Sequence, residues 1–311
     1  MDAYLFVHFR EKKTPDGEQV YFALSKDGLI WETVNEGKPV LWSKLSEQGV
    51  RDHTIVRTAD NKFYIIATDL SLASNFKTKY ESDWKKVSRQ GSRYLSLWQS
   101  DDLVNWSGQR LIQLGGEDFG CRWAPDVIYD RKNDDYVIHW SSINTQDEYS
   151  RMAIYYSRTK DFEHFTEAEL LYGKDDSGVI DSAIYENDGI YYLFAKSDNN
   201  PNSVIMLKSD SITGKYVKMD AFDEAMSKLS ANFYEAPTAY KLSDGRWCLM
   251  IDFFGVEGDG QGYVPFISDD ISTGEFVRSS QSFDFPYGFK HGTVLKITMD
   301  EFDRIKEHKF C

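Results

Sequence analysis

The sequence predicts an all-β fold, a five-bladed β-propeller closed by pairing of its N- and C-terminal strands, with residues 1–311 as a single domain. Three observations carry that prediction. A short apolar strand opened by a polar or charged residue recurs around Asp52, Asp126, Asp181, Glu235 and His291, at steps of 74, 55, 54 and 56 residues. A second signal, a Ser/Asp-rich turn followed by a bulky aromatic, also returns five times. The two series are offset at the chain ends. A repeat of about 50 residues built from short strands is the mark of a propeller.

In chain order, residues 3–9, 19–25 and 31–34 read as the second, third and fourth strands of a blade that lacks its first. The missing strand is residues 293–298 at the other end, so the termini complete one blade and remove the sheet edges an open sandwich would expose. The first full blade opens with Arg51-Asp52-His53-Thr54-Ile55-Val56, turns at Ala59-Asp60-Asn61 and returns as Phe63-Tyr64-Ile65-Ile66. The next three open at Trp123-Ala124-Pro125-Asp126, Ile180-Asp181-Ser182-Ala183 and Tyr234-Glu235-Ala236-Pro237, each followed by an Asn/Asp/Gly or Ser/Asp/Gly turn. Lys290-His291-Gly292-Thr293 opens the fifth. The outer turns run from Ser25 to Trp31, Ser100 to Trp106, Ser157 to Phe165, Ser209 to Tyr216 and Ser268 to Phe276. In each, Ser or Asp side chains are expected to cap the turn, and the aromatic opens the outer strand. Trp31 and Trp106 are therefore blade packing. Two insertions, 71–91 with Trp84 and the glycine-rich 256–263, fall between second and third strands and rim the mouth that the inner strands approach. Residues 220–230 read as a short peripheral helix.

A net charge of −14 argues against nucleic acid or an anionic membrane as partner. Cys121, Cys248 and Cys311 are too few, and odd in number, for a disulfide framework, and show no metal-type spacing. No apolar run reaches membrane-spanning length. The opening Met1-Asp2-Ala3-Tyr4-Leu5-Phe6-Val7 lacks the basic region and small-residue cleavage site of a secretory leader, as expected of a cytoplasmic chain or of one whose leader has been removed.

Inner-strand starts converge on the propeller axis, and here four carry an acid and one a histidine. Burying like charges together is costly, and clustered carboxylates push their pKa values apart until one is an acid and another a base. Glycoside hydrolysis needs that pair. The structural alternative, each acid capping a turn, competes at any single position and weakens for Asp52, Asp181 and Glu235 together.

Blade by blade, the chain resembles glycoside hydrolase family 43, five-bladed propellers that include arabinofuranosidases, xylosidases and arabinanases. The resemblance implies that Asp52 is the general base, Asp181 the residue that orients and tunes the acid, and Glu235 the general acid. Trp123-Ala124-Pro125 is similar to the family's second-blade signature, and His291-Gly292 to its late His-Gly, whose histidine points into the central channel towards calcium or water. No cofactor is required in this reading, and a central Ca2+, with His291 as a direct or water-mediated ligand, would be structural or electrostatic. Two departures stand out: His53 replaces the usual proline after the base, and Ala236 the usual glycine after the acid. Candidate sugar contacts are Arg51, Trp123, Asp126, Lys196 and His291, with core packing open for Trp123 and structural hydrogen bonding for Asp126. His8 and His53 read as structural. The implied activity is inverting hydrolysis, with terminal α-L-arabinofuranosyl residues of plant polysaccharide side chains or oligosaccharides, arabinose- or xylose-containing, as the favoured substrate; exo action is expected because the two long insertions could wall the channel into a pocket. A β-D-xylosidase, an endo-arabinanase and a non-catalytic carbohydrate-binding propeller are the alternatives. Retaining fructan hydrolases share the propeller, but their Asn-Asp-Pro-Asn and Glu-Cys motifs are missing here.

Overall fold

Alternating apolar strands joined by tight polar turns fold into antiparallel meanders, and the computed structural model contains five of them among the residues it describes: 2–10, 12, 14–229, 233–255, 262–279, 283–285 and 290–310. Blade one holds β4 (Val50–Arg57), β5 (Phe63–Asp69), β6 (Leu95–Ser100) and β7 (Arg110–Ile112). Blade two holds β8 (Trp123–Asp130), β9 (Asp135–Ser142), β10 (Ala153–Thr159) and β11 (Glu169–Tyr172). Blade three holds β12 (Val179–Asn187), β13 (Ile190–Ser197), β14 (Ser203–Ser209) and β15 (Val217–Lys218). Blade four holds β16 (Tyr234–Lys241), β17 (Trp247–Phe253), β18 (Gly262–Ser268) and β19 (Val277–Arg278). The closing blade is built from both ends of the chain, with β20 (Thr293–Thr298) innermost, then β1 (Asp2–His8), β2 (Tyr21–Ser25) and β3 (Glu32–Thr33). Its seam pairs Asp2 with Thr298 through to Val7 with Thr293. The inner strands β4, β8, β12, β16 and β20 touch in sequence and back to β4, so the ring is closed as the terminal offset predicts.

The outer turns cap themselves. Ser25 Oγ accepts the Gly28 N–H at 2.8 Å while Asp27 accepts those of Leu29 and Ile30. Ser100 and Asp102 repeat the arrangement. In blade two the cap is made by Thr159 and Asp161, two residues beyond the Ser157 at which the sequence motif begins. Trp31 packs on Phe6 and Tyr240, and Trp106 on Phe22, both between blades.

Each of the first four inner strands carries a β-bulge at its mouth end, with two residues opposing one on the neighbouring strand. The first bulged residue is left-handed every time: Asp52 (φ 53°), Ala124 (49°), Asp181 (55°) and Ala236 (52°). For a non-glycine residue that conformation costs ~1–2 kcal/mol. The second bulged residue is His53, Pro125, Ser182 or Pro237, and proline is admitted because a bulge interrupts the ladder. Aligned on the bulge, the four acids are not equivalent. Asp52 and Asp181 are the first bulged residues, Glu235 lies one residue before its bulge, and Asp126 lies two after Ala124.

The insertion at 71–91 forms α1 (Leu72–Asn75) and α2 (Trp84–Gln90). Buried carboxylates tie it down. Glu18 accepts from Ser71 Oγ and the N–H groups of Leu72 and Ala73, and Glu47 from Asn75, Lys79 and the Tyr80 hydroxyl. Residues 256–261 of the second insertion lie outside the described residues. The helix expected over 220–230 is α3 (Asp220–Ser227), which buries Phe222 and Met226, while residue 230 is outside the described set.

A helix the strand pattern did not signal, α4 (Met299–Glu307), ends the chain with a capping box between Thr298 and Glu301. Glu301 also receives both Arg57 guanidinium nitrogens at 2.8 Å, fastening the helix to blade one. Ile297, 2% exposed, sits in the core formed by β1, β2, β4, β5 and α4. Ile297→Ala should therefore lower the free energy of unfolding by about 2–5 kcal/mol, read from denaturant melts.

Candidate active site

The bulges bring Asp52, Asp181 and Glu235 into one electrostatic cluster with His291. Asp52 is held from two sides. His291 Nδ1 stands 3.3 Å from its Oδ1, and Thr68, across the sheet on β5, donates its hydroxyl to Oδ2 at 2.8 Å. Burial presses the Asp52 pKa upward, but the hydrogen bond and charge of His291, with Arg51 and Thr68, outweigh it and bring it down to about 2. For His291 burial acts to lower the pKa, and the bond to Asp52 with the charges of Asp181, Asp52 and Asp252 raises it to about 9. At neutral pH the pair is carboxylate and imidazolium.

The other carboxyls go the opposite way. Burial foremost, then the negative charges of Asp181 and Asp252, holds Glu235 well above the ordinary carboxyl range, against the cations Lys290 and His291. Asp181 is likewise raised, chiefly by burial and further by Asp52 and Asp252, with His291 opposing. Its backbone N–H donates to Ser141 Oγ at 3.0 Å, and the Ala124 N–H donates to Thr68 Oγ1 at 2.8 Å. A hydroxyl on the second strand of one blade thus satisfies the bulge of the next.

Two site residues were missed by reading inner strands alone. Asp252, on β17, faces Glu235 in register and is 1% exposed. Lys290, one residue before His291, pairs with it at 2.7 Å. The available signal was a carboxylate inside the apolar run Leu249-Met250-Ile251-Asp252-Phe253.

The expected sugar contacts divide. Lys196, on β13, is buried, bonds Asn202 at 2.6 Å and feels the charges of Asp198, Glu235 and Asp181, which places it near Glu235. Trp123, at the start of β8, is partly exposed and meets Trp84 of α2 edge-to-face at 6.2 Å, forming an aromatic wall at the mouth. Arg51 lies over the Phe9 ring and pairs with Glu18 at 2.9 Å, which joins it to the anchor of the insertion. Asp126 is committed between blades, accepting from Thr54 Oγ1 at 2.6 Å and from its neighbour's N–H, the structural alternative. Burial, opposed by those bonds, raises its pKa to about 6. His8 and His53 are buried, and desolvation lowers both to about 3, so they are neutral packing groups.

A family model described as "probable glycosyl hydrolase domain" and related to glycoside hydrolase family 43 matches residues 1–303. The chain belongs to this glycosyl hydrolase 43-related family. The family resemblance read from the blade motifs is thereby borne out. An α-L-arabinofuranosidase of Bifidobacterium longum subsp. longum is 28% identical over 211 residues, covering 60% of this chain and 19% of that protein. The chain thus spans about a fifth of that relative's length. Among solved structures, an α-L-arabinofuranosidase from Lactobacillus brevis superposes with a TM-score of 0.56 at 13% identity, covering 84% of this chain and 80% of that one. An exo-β-1,3-galactanase from Phanerochaete chrysosporium gives 0.51 at 17%, covering 74% and 49%. These likenesses establish that the family member has their propeller fold.

Among the described residues no group of three or more His, Cys, Asp or Glu side chains is placed to hold a metal. His291 turns Nδ1 to Asp52 Oδ1.

The ion pair has a signature of its own. In Asp52→Asn the His291 imidazole, followed by NMR titration, should lose its proton well below the wild-type value of about 9, because burial then acts unopposed by its main partner. Stability should follow by linkage. The Asp52 contribution is full above 3.8 and lost as pH falls through about 2. That of His291 is full below 6.5 and lost as pH rises through about 9.

Proposed function

We propose that this chain is an inverting, exo-acting glycosidase that releases terminal α-L-arabinofuranosyl residues from plant polysaccharide side chains or oligosaccharides. The observation that carries this reading is one cluster in which His291 and Thr68 bond Asp52 and hold its pKa down, while Glu235 stands opposite Asp252 with its pKa raised by burial and by the charges of Asp181 and Asp252. Asp52 draws a proton from a water as its oxygen bonds to the anomeric carbon. The carbon–oxygen bond on the opposite face breaks, and Glu235 gives its proton to the departing oxygen. Asp181 is a positioning residue: its charge helps keep Glu235 protonated, and it accepts the Ala236 N–H beside the acid. Positive charge developing on the sugar ring gains from the carboxylates around it. No cofactor is required in this reading.

The arabinofuranosyl assignment is supported by the Bifidobacterium relative, and exo action by the α2 insertion, whose Trp84 meets Trp123 of β8 at one side of the mouth. Hydrolysis of aryl α-L-arabinofuranoside beside aryl β-D-xyloside tests both. The arabinoside should be cleaved preferentially, with the anomeric configuration of the first-formed sugar inverted by NMR. Preference for the xyloside would move the substrate and keep the mechanism. Silence on both and on oligosaccharides would leave a carbohydrate-binding propeller. On substrates with poor leaving groups Glu235→Ala should lose about 10²–10⁴-fold in kcat. The profile of kcat/KM should have an acid limb far below neutral, where Asp52 protonates. Its basic limb should lie above the ordinary carboxyl range, where Glu235 ionises.

A further inference from the structure

The segment Lys290-His291-Gly292 reaches both walls of the site. His291 holds Asp52, while Lys290 holds Asp252, the residue directly across the sheet from Glu235. The segment is itself fixed from two directions. The Gly292 N–H donates to the Tyr263 hydroxyl at 3.0 Å, and the Lys290 N–H donates to Phe9 O. Gly292 is required by space: a Cβ there would lie 2.0 Å from Val7 O and 2.9 Å from the His8 Cα. Two adjacent cations are thus locked against the end of β1, one serving the wall of the proposed base and one that of the proposed acid.

We propose that the buried Lys290–Asp252 pair is a positioning device for Glu235, presenting a carboxylate charge to the acid and holding that charge in check with a cation. The proposal rests on the glycosidase reading above. Asp252 is 1% exposed at its side chain and Lys290 6%, so water screens the pair little and its charges act on the neighbouring carboxyl. The charged and titratable groups facing Glu235 are Asp181 from β12, Lys196 from β13, Asp252 from β17, and Lys290 and His291 from the closing segment. Asp252 favours the protonated acid and Lys290 the ionised one, as the direction of the Glu235 shift reflects.

Opposite signs make the test. In Asp252→Asn the basic limb of kcat/KM should move to lower pH. In Lys290→Met it should move to higher pH, with Lys290→Arg restoring the wild-type position. A pair that only braces the fold would lower Tm in both variants and leave the limb where it was, or move it the same way in both, and either result overturns the proposal. If Asp252→Asn does not fold, the Lys290→Met and Lys290→Arg comparison carries the test. If Lys290→Met also fails to fold, the pair is scaffold and the proposal falls. Glu235→Ala, assayed beside them, separates the two readings: full activity in that variant sinks the assignment of the acid, whereas its loss with unmoved limbs sinks only the role of the pair.

Discussion

A strand that approaches a propeller axis presents alternate side chains to its two neighbours, and a regular ladder turns none of its mouth residues onto the axis by itself. The bulge breaks that alternation. Four consecutive inner strands accept a left-handed residue at the same level, Asp52, Ala124, Asp181 and Ala236, and the placement of the inner-strand acids depends on this. The strain is offset between blades: Thr68 on β5 receives the Ala124 N–H, and Ser141 on β9 receives the Asp181 N–H. Thr68 uses the same oxygen to donate to Asp52. A group that stabilises the backbone therefore also keeps the proposed base ionised.

The same geometry accounts for the two departures from the family's usual residues. The position after Glu235 is left-handed, which favours glycine, yet Ala236 occupies it at φ 52°. The alanine is strained by ~1–2 kcal/mol, while it spares the unfolded chain about 0.4–1 kcal/mol of glycine's entropy. The net effect is small, so the substitution leaves the strand entry intact. The position after Asp52 is the second bulged residue, filled by proline at 125 and 237 and by histidine at 53. Proline is suited to such a position without being demanded by it, and His53 is accommodated there fully buried and neutral.

Blade count, closure and the identity of the clustered acids were legible because turns and strand starts are local signals with a regular period. Register was not. A bulge shifts the chain by a single residue, and a shift of one or two is invisible in steps of 54–56 residues, so Asp126 looked equivalent to Asp52 although it lies beyond the bulge and bonds Thr54. Asp252 and Lys290 escaped for a different reason: they act on Glu235 through tertiary placement, from the second strand of a blade and from the closing segment, and neither belongs to the repeated inner-strand pattern. The capping box of α4 was present in Thr298 and Glu301 but follows directly on a strand, where the alternating pattern dominated the reading.

The segment that closes the ring also carries the cations of the site. Before β20 pairs with β1, the carboxyls of Asp52, Asp181, Glu235 and Asp252 have no Lys290 or His291 beside them, and gathering four acids in low dielectric would force protons onto several of them. The segment that completes the ring delivers both cations, to opposite walls. One carboxyl, Asp52, is thereby left deeply ionised, while Glu235, backed by Asp252 and Asp181, keeps its proton despite them. The asymmetry follows the contacts: His291 bonds the proposed base directly, whereas Lys290 is paired with Asp252, so the proposed acid feels that cation beside an opposing carboxylate. A propeller that closed on a different blade boundary could have the same acids and the same bulges without separating their protonation states.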